Sequence, residues 1–293
     1  VTRFGSTRFS APDNTAATSL SFEETGVSQA ATLPWLLNPR NALLVGEWLD
    51  WNRFEVNSDT VRDFSALSMG VPLAWVQQSA PDWQVAAFVA PLGHKALEAG
   101  APWSWEYMGG IFARYAPGDR VSWIFGFFAD VTPGKDFYIP YLGAIWTLDP
   151  RWTVNAILPW PSVVYAIDDD TFARFGVTPS GASWALRQDT TQVMVDLDAW
   201  NIGVAIEHRL WGNIWGRIEG GVSGLRGFSI VGGEWRGVDH ELGSTGYVSI
   251  GINFRPEVRS QAPTRNPATT AQAFAPAAAP IFEQLRGAEV RGL

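Results

Sequence analysis

Residues able to do chemistry are few in this chain. It has three histidines and no cysteine, which excludes disulfides, a thiolate nucleophile and cysteine-bound metal. His208 follows Ile202, Val204 and Ile206 in simple alternation, so it belongs to an apolar face near a strand end, as an interfacial histidine with a satisfied ring nitrogen. A lipase-like site would need a serine and an Asn, Asp or Glu beside that ring on one face. Ser223 and Glu219, on the next strand, fall on the opposite face, which argues against it. His94 falls in the polar connection 93–103, and His240 in a charged loop with Asp239 and Glu241. Asp168, Asp169 and Asp170 form the densest acidic run. Calcium would need six to eight oxygens, and no EF-hand spacing follows, so these are weak metal candidates and a solvated loop is the plain expectation. Gly224 to Gly233 is glycine-rich, but no helix follows to complete a phosphate site. No catalytic constellation and no cofactor motif emerges, and no enzyme is expected.

The remaining polar side chains are organised by position in strands. From about residue 17 to 254 the hydrophobic period is two. Val248, Ile250, Ile252 and Phe254 share one face, with Tyr247, Ser249, Gly251 and Asn253 on the other. Ile214, Ile218 and Val222 oppose Trp215, Arg217 and Glu219, and Val121, Trp123, Phe125 and Phe127 oppose Ser122, Gly126 and Asp130. The polar face collects Glu106, Arg114, Asp130, Asp196, Asp198, Glu207, Arg209, Arg217 and Glu219, a mixture that suits a water-filled or hydrogen-bonded interior. Trp105, Tyr115, Trp146, Trp152, Trp200 and Trp211 stand near expected strand ends, as interfacial girdles would.

Composition points the same way. Only 17% of residues are charged while 46% are hydrophobic, and 16 are tryptophan. A soluble protein normally carries a denser charged coat, and a helical membrane protein needs about 18 consecutive apolar residues, which are absent here. The net charge of −8 and only two lysines, Lys95 and Lys135, make nucleic acid a poor partner. The expected fold class is therefore all-β, a transmembrane antiparallel barrel of about twelve strands (ten to fourteen). Short turns such as Asn38-Pro39-Arg40 and Trp211-Gly212-Asn213 alternate with longer connections at 93–103, 168–181 and 226–243. The expected organisation is an N-terminal extension over 1–16, the barrel over 17–254, and an Ala/Pro-rich tail over 255–293 with a short helix at 281–290.

The final strand, Tyr247, Val248, Ile250, Ile252 and terminal-aromatic Phe254, resembles the assembly signal of bacterial outer-membrane barrels. Pro140 to Pro159 and Gly203 to Gly221, with Ile206-Glu-His-Arg-Leu-Trp211, extend the likeness. Over about 28–254 the chain resembles an outer-membrane β-barrel family of unknown function. That resemblance implies outer-membrane lipid and the barrel-assembly machinery as partners, and a mature chain whose signal peptide has been removed. Such barrels usually end at the aromatic residue, whereas this chain continues, so the signal would be internal. The expected function is porin-like passage or binding of small solutes. The alternative is a closed anchor barrel holding a periplasmic or surface protein through 255–293 or its loops. An outer-membrane hydrolase and a soluble carbohydrate-binding β-protein rank behind both.

Overall fold

The computed structural model describes residues 2–10, 21–57, 63–132, 136–158, 160–188, 191–231, 238–242 and 244–254. Sixteen strand segments make one antiparallel sheet. In chain order they are β1 (Thr2–Ser10), β2 (Ser21–Asn38), β3 (Asn41–Asn57), β4 (Phe64–Gly70), β5 (Leu73–Ala80), β6 (Trp83–Ala96), β7 (Ser104–Tyr115) and β8 (Val121–Val131). They continue with β9 (Asp136–Thr147), β10 (Trp152–Ile157), β11 (Ser162–Ala166), β12 (Thr171–Gln188), β13 (Thr191–Trp211), β14 (Ile214–Val231), β15 (Val238–Leu242) and β16 (Thr245–Phe254). Each pairs with its neighbours, and β1 pairs with both β2 and β16, which closes the ring. β4 and β5 both lie between β3 and β6, and β15 and β16 both lie against β14. The ring therefore has fourteen positions.

The break between β4 and β5 has a local cause. It falls at Val71-Pro72, opposite Ala90 and Pro91 of β6. Two prolines supply no backbone N–H for the ladder. The gap is bridged instead by Gly46 N–H donating to the Pro72 carbonyl at 2.7 Å and Val71 N–H donating to the Pro91 carbonyl at 3.3 Å.

Alternation sorts the side chains by face. Outside lie Trp51, Trp75, Val89, Ile111, Trp123, Leu142, Ile202, Val204, Ile218, Val248 and Ile250, all exposed. Inside lie Asn52, Ser68, Phe88, Leu92, Glu106, Phe112, Ile124, Glu207 and Arg217, all buried. A continuous apolar exterior would be an aggregation surface in water, and in lipid it is the stable arrangement. One rim carries the short turns at Pro39-Arg40, Pro81-Asp82, Asp149-Pro150 and Gly212-Asn213, the last with Gly212 at φ +50°. The wall height is uneven. β12, β13 and β14 are 18, 21 and 18 residues long, whereas β10 and β11 have 6 and 5. A membrane crossing takes about 9–11 residues, so the first three rise well past one and the last two fall short.

Fourteen positions fall at the upper end of the expected ten to fourteen, two above the central figure of twelve, for two reasons. Residues 2–10, read as part of an N-terminal extension, form β1. The stretch from Trp152 to Ala166 forms two strands, β10 and β11, with Pro161 directly before the second. The connection expected over 168–181 is largely β12, whose register with β13 runs unbroken from Thr171↔His208 to Gln188↔Thr191. The tail 255–293, including 281–290, lies outside the described residues.

Candidate functional site in the barrel interior

The interior has two unlike walls. On β6 to β10 it is apolar: Phe88, Leu92, Met108, Phe112, Ile124, Phe128, Tyr141 and Ile157 form one buried cluster with Trp48 of β3. Phe88 stacks on Phe112 at 6.1 Å and on Phe128 at 6.2 Å, and Phe112 meets Tyr141 edge-on at 5.1 Å. Room for these rings comes from Gly110, where a Cβ would stand 2.7 Å from Phe112 Cε2 and 2.9 Å from Phe88 Cε1. Trp160, between the two short strands, stacks on Tyr141 at 5.1 Å and meets Phe128 at 6.3 Å. It thus fills the interior where the wall is lowest.

The facing wall, on β13, β14 and β16, is charged and hydrogen-bonded. Arg217 lies 3.6 Å from Glu207 and bonds the Glu219 carboxylate directly. Tyr247 donates to Glu219 at 3.0 Å, and Asn253 donates to Glu207 at 3.4 Å. Glu207 and Arg217 are each less than a tenth exposed. Burial of charge is tolerated only with this kind of partnering. Gly203 makes the network possible, because a Cβ there would collide with the Tyr247 hydroxyl.

A third polar group crosses the loop-rim half of β3, β4, β6 and β7. Asn52 donates to Asp50. Ser68 Oγ lies 2.7 Å from His94 Nδ1, and His94 Nε2 lies 2.8 Å from Glu106 Oε2. The two ring nitrogens of His94 thus bridge the Ser68 hydroxyl and the Glu106 carboxylate. Serine, histidine and carboxylate in this order can in principle activate a nucleophile. Here all three are about 2% exposed, and the Trp48 ring packs edge-on against His94 at 6.4 Å. The arrangement locks three strands together, and substrate has no approach to it.

Sequence reasoning missed Ser68 and His94. His94 was placed in a connection, yet β6 runs on through Ala96, and the parity of Phe88, Ala90 and Leu92 carries directly to His94. Of the residues expected to line the interior, Glu106, Asp130, Glu207 and Arg217 are buried, Glu219 is nearly so, and Arg114 is half-buried and donates to Ser122 at 2.9 Å. Arg209 keeps the parity of Glu207 and pairs across to Trp215; it lies exposed at the turn rim, 3.2 Å from Asp170 and over the Trp215 ring at 5.0 Å. The side chains of Asp196, Asp198 and Phe254 lie outside the described ones.

The rims complete the placement. Trp105 is exposed at the loop rim, and Trp146, Trp152 and Trp211 are exposed beside the short turns. Tyr115 stacks on Trp83 at 4.8 Å. Trp200 stands in the middle of β13, which extends beyond it to Thr191. Val248, Ile250 and Ile252 of the final strand face outward, while Tyr247 faces Glu219. The aspartate run is a turn with its own partners. Asp170 N–H donates to Asp168 at 2.8 Å, and Asp170 pairs with Arg209. His208 faces outward at this rim with its Nδ1 2.9 Å from Thr171 Oγ1. Among the described residues no group of three or more His, Asp or Glu is arranged to hold a metal ion.

No protein-family model matches the chain, and no curated protein matches it. Solved structures similar to it are outer-membrane β-barrels, all distant. A KdgM porin is 7% identical over 87% of this chain and 99% of its own, with a TM-score of 0.35. A Pseudomonas aeruginosa FadL homologue is 9% identical over 86% and 88%, with a TM-score of 0.41. The TodX deltaS2S3 mutant monoaromatic hydrocarbon channel is 7% identical over 86% and 87%, with a TM-score of 0.37.

Proposed function

We propose that this chain is an outer-membrane β-barrel that passes or binds small solutes through its interior. The observation that carries the reading is the pairing of an apolar exterior with an interior holding buried Glu207 and Arg217, with the nearly buried Glu219 beside them. Charges directed into a ring of strands set a field across it, and such a field sorts solutes by charge and size. The partners that follow are outer-membrane lipid and the machinery that inserts such barrels. Discrete, salt-dependent conductance in a planar bilayer is the expected outcome, and a folded barrel that stays silent overturns it. Heat-modifiable migration on a detergent gel checks the barrel, and solubility without detergent would count against membrane insertion.

The second reading is a closed anchor barrel that holds a protein partner through residues 255–293. It is favoured by the packing of Phe88, Phe112, Phe128 and Tyr141 into the interior. Deleting 255–293 should then abolish partner retention and leave the barrel folded.

A further inference from the structure

The tall side of the wall does not simply stand above the rim. β12 has β11 and β13 as ring neighbours, yet it also touches β6 and β7, which lie across the interior. Trp184 of β12 packs 5.0 Å from Phe54 of β3 and 6.2 Å from Phe64 of β4, which stack on each other at 4.6 Å. Trp184 and its cross-strand partner Val195 are each 1% exposed. Side chains above the rim of an open pore would be wet. These are sealed, so the upper sheet bends inward over the mouth.

The bend has a definite level. Pro179 on β12 faces Trp200 on β13 and has no N–H to give to the ladder. At that same level β13 slips register against β14, from Asp198↔Gly227 to Trp200↔Gly224. One position further round, β14 changes partner at this level, from β16 at Ser223↔Thr245 to β15 at Arg226↔Leu242. A proline, a bulge flanked by glycines and a change of strand partner thus fall in one line across this part of the sheet, and the proline and the bulge weaken the ladder there. Below the line the strands are ordinary wall. Above it they pair among themselves and rest on the far side through one aromatic seat.

The seat is not fully satisfied. Trp184 Nε1–H is buried and has no hydrogen-bond partner among the described residues. A buried donor left unmade is costly, so closure gains the stacking of three rings and loses the hydration of one indole. We propose that the upper parts of β12 to β15 are a hinged flap. It closes the loop-side mouth when Trp184 seats on Phe54 and Phe64, and swings about the line through Pro179, Trp200 and Gly224 to open it. This rests on the reading of the barrel as a passage, because a flap over an anchor barrel would have nothing to admit.

The absence of cysteine makes the test clean. Ala185, beside Trp184 and 1% exposed, becomes the single thiol A185C; Ala90, 0% exposed in the packed wall, gives the control A90C. Barrels folded into vesicles, selected by heat-modifiable migration, are exposed to a polar, membrane-impermeant methanethiosulfonate. Adding Trp184→Gly should speed modification of A185C by about tenfold or more, since losing a buried aromatic costs the closed state well over that factor, while A90C stays protected. Equal rates for A185C with and without W184G, both as slow as A90C, overturn the flap. Bilayer conductance of wild type and W184G separates the two ideas. Faster labelling with no current in either protein keeps the flap and sinks the passage, whereas current with unchanged labelling does the reverse.

Discussion

The β6–β10 wall and the β13–β16 wall present the same apolar surface to the outside and opposite chemistry to the inside. On the first, Ile124 and Phe128 occupy the parity of Ser122 and Asp130. Between those two polar residues the strand is apolar on both faces, and its interior there is held by shape. On the second, Glu207, Arg217, Glu219, Tyr247 and Asn253 are held by direction, each hydrogen bond fixing the next. Aromatic packing is tolerant of small shifts, whereas a buried ion pair is not. The contrast suggests a barrel with one compliant side and one rigid side, and the flap hangs from the rigid one.

The largest expected effect lies in the rigid wall. Replacing Arg217 with Met removes the guanidinium from two buried carboxylates, and a buried pair broken from one side costs about 3–5 kcal/mol. Urea-dependent refolding into detergent micelles measures it. The companion triple change E207Q/R217M/E219Q removes the charges together and should recover more than half of the loss. If the single and triple variants are equally unstable, charge pairing is not what holds this wall.

In the compliant wall, Phe112→Ala should cost about 3 kcal/mol, the lower end for a buried aromatic, because Phe88, Tyr141 and Trp160 can lean into the space. The same refolding assay reads it, and a loss larger than that of Arg217→Met would reverse the assignment of compliance. Between the walls, Ser68→Ala leaves His94 Nδ1 without its hydroxyl and should cost about 1–2 kcal/mol. Ester hydrolysis should be absent from both wild type and S68A. A hydrolytic activity lost in S68A would instead make Ser68 a nucleophile.

How much of this was legible in the sequence follows from the same two walls. The exterior could be read because Val248, Ile250 and Ile252 alternate cleanly with polar residues. Arg217 and Glu219 fell on the interior face for the same reason. The β6–β10 interior could not be read by polarity, since Phe112 and Met108 share their parity with Glu106 and Arg114, and only strand parity reveals that they are neighbours. His94 was lost because Pro91 and Gly93 look like a strand end, whereas the partner stave breaks opposite Pro91 and absorbs the missing donor. β12 was obscured by Pro179-Ser180-Gly181, which has turn chemistry; its full-length pairing with β13 overrides that local preference. β1 carries too little hydrophobic signal to stand alone, and its place is set by closure between β2 and β16.

The smallest expected effect is at the turn rim, where Asp168 joins the rigid wall to its neighbour. Its carboxylate is held below the ordinary range, first by the Thr171 hydroxyl and then by the Asp170 backbone N–H, with His208 adding a weaker attraction. Because Thr171 Oγ1 also meets His208 Nδ1 at 2.9 Å, a hydroxyl that donates to Asp168 must accept from the ring. A carboxyl whose folded pKa is depressed contributes stability above its unfolded value of about 3.9. That contribution disappears as pH falls through the lower folded value. The group is fully exposed, so solvent screens the effect and it stays small. Asp168→Asn removes the ionisation and should flatten the wild-type decline in refolding midpoint between about pH 5 and pH 3, leaving neutral-pH behaviour nearly unchanged. Thr171→Val should do the same by deleting the leading donor. A decline that persists unchanged in both variants would show that this turn is not the source of the acid sensitivity.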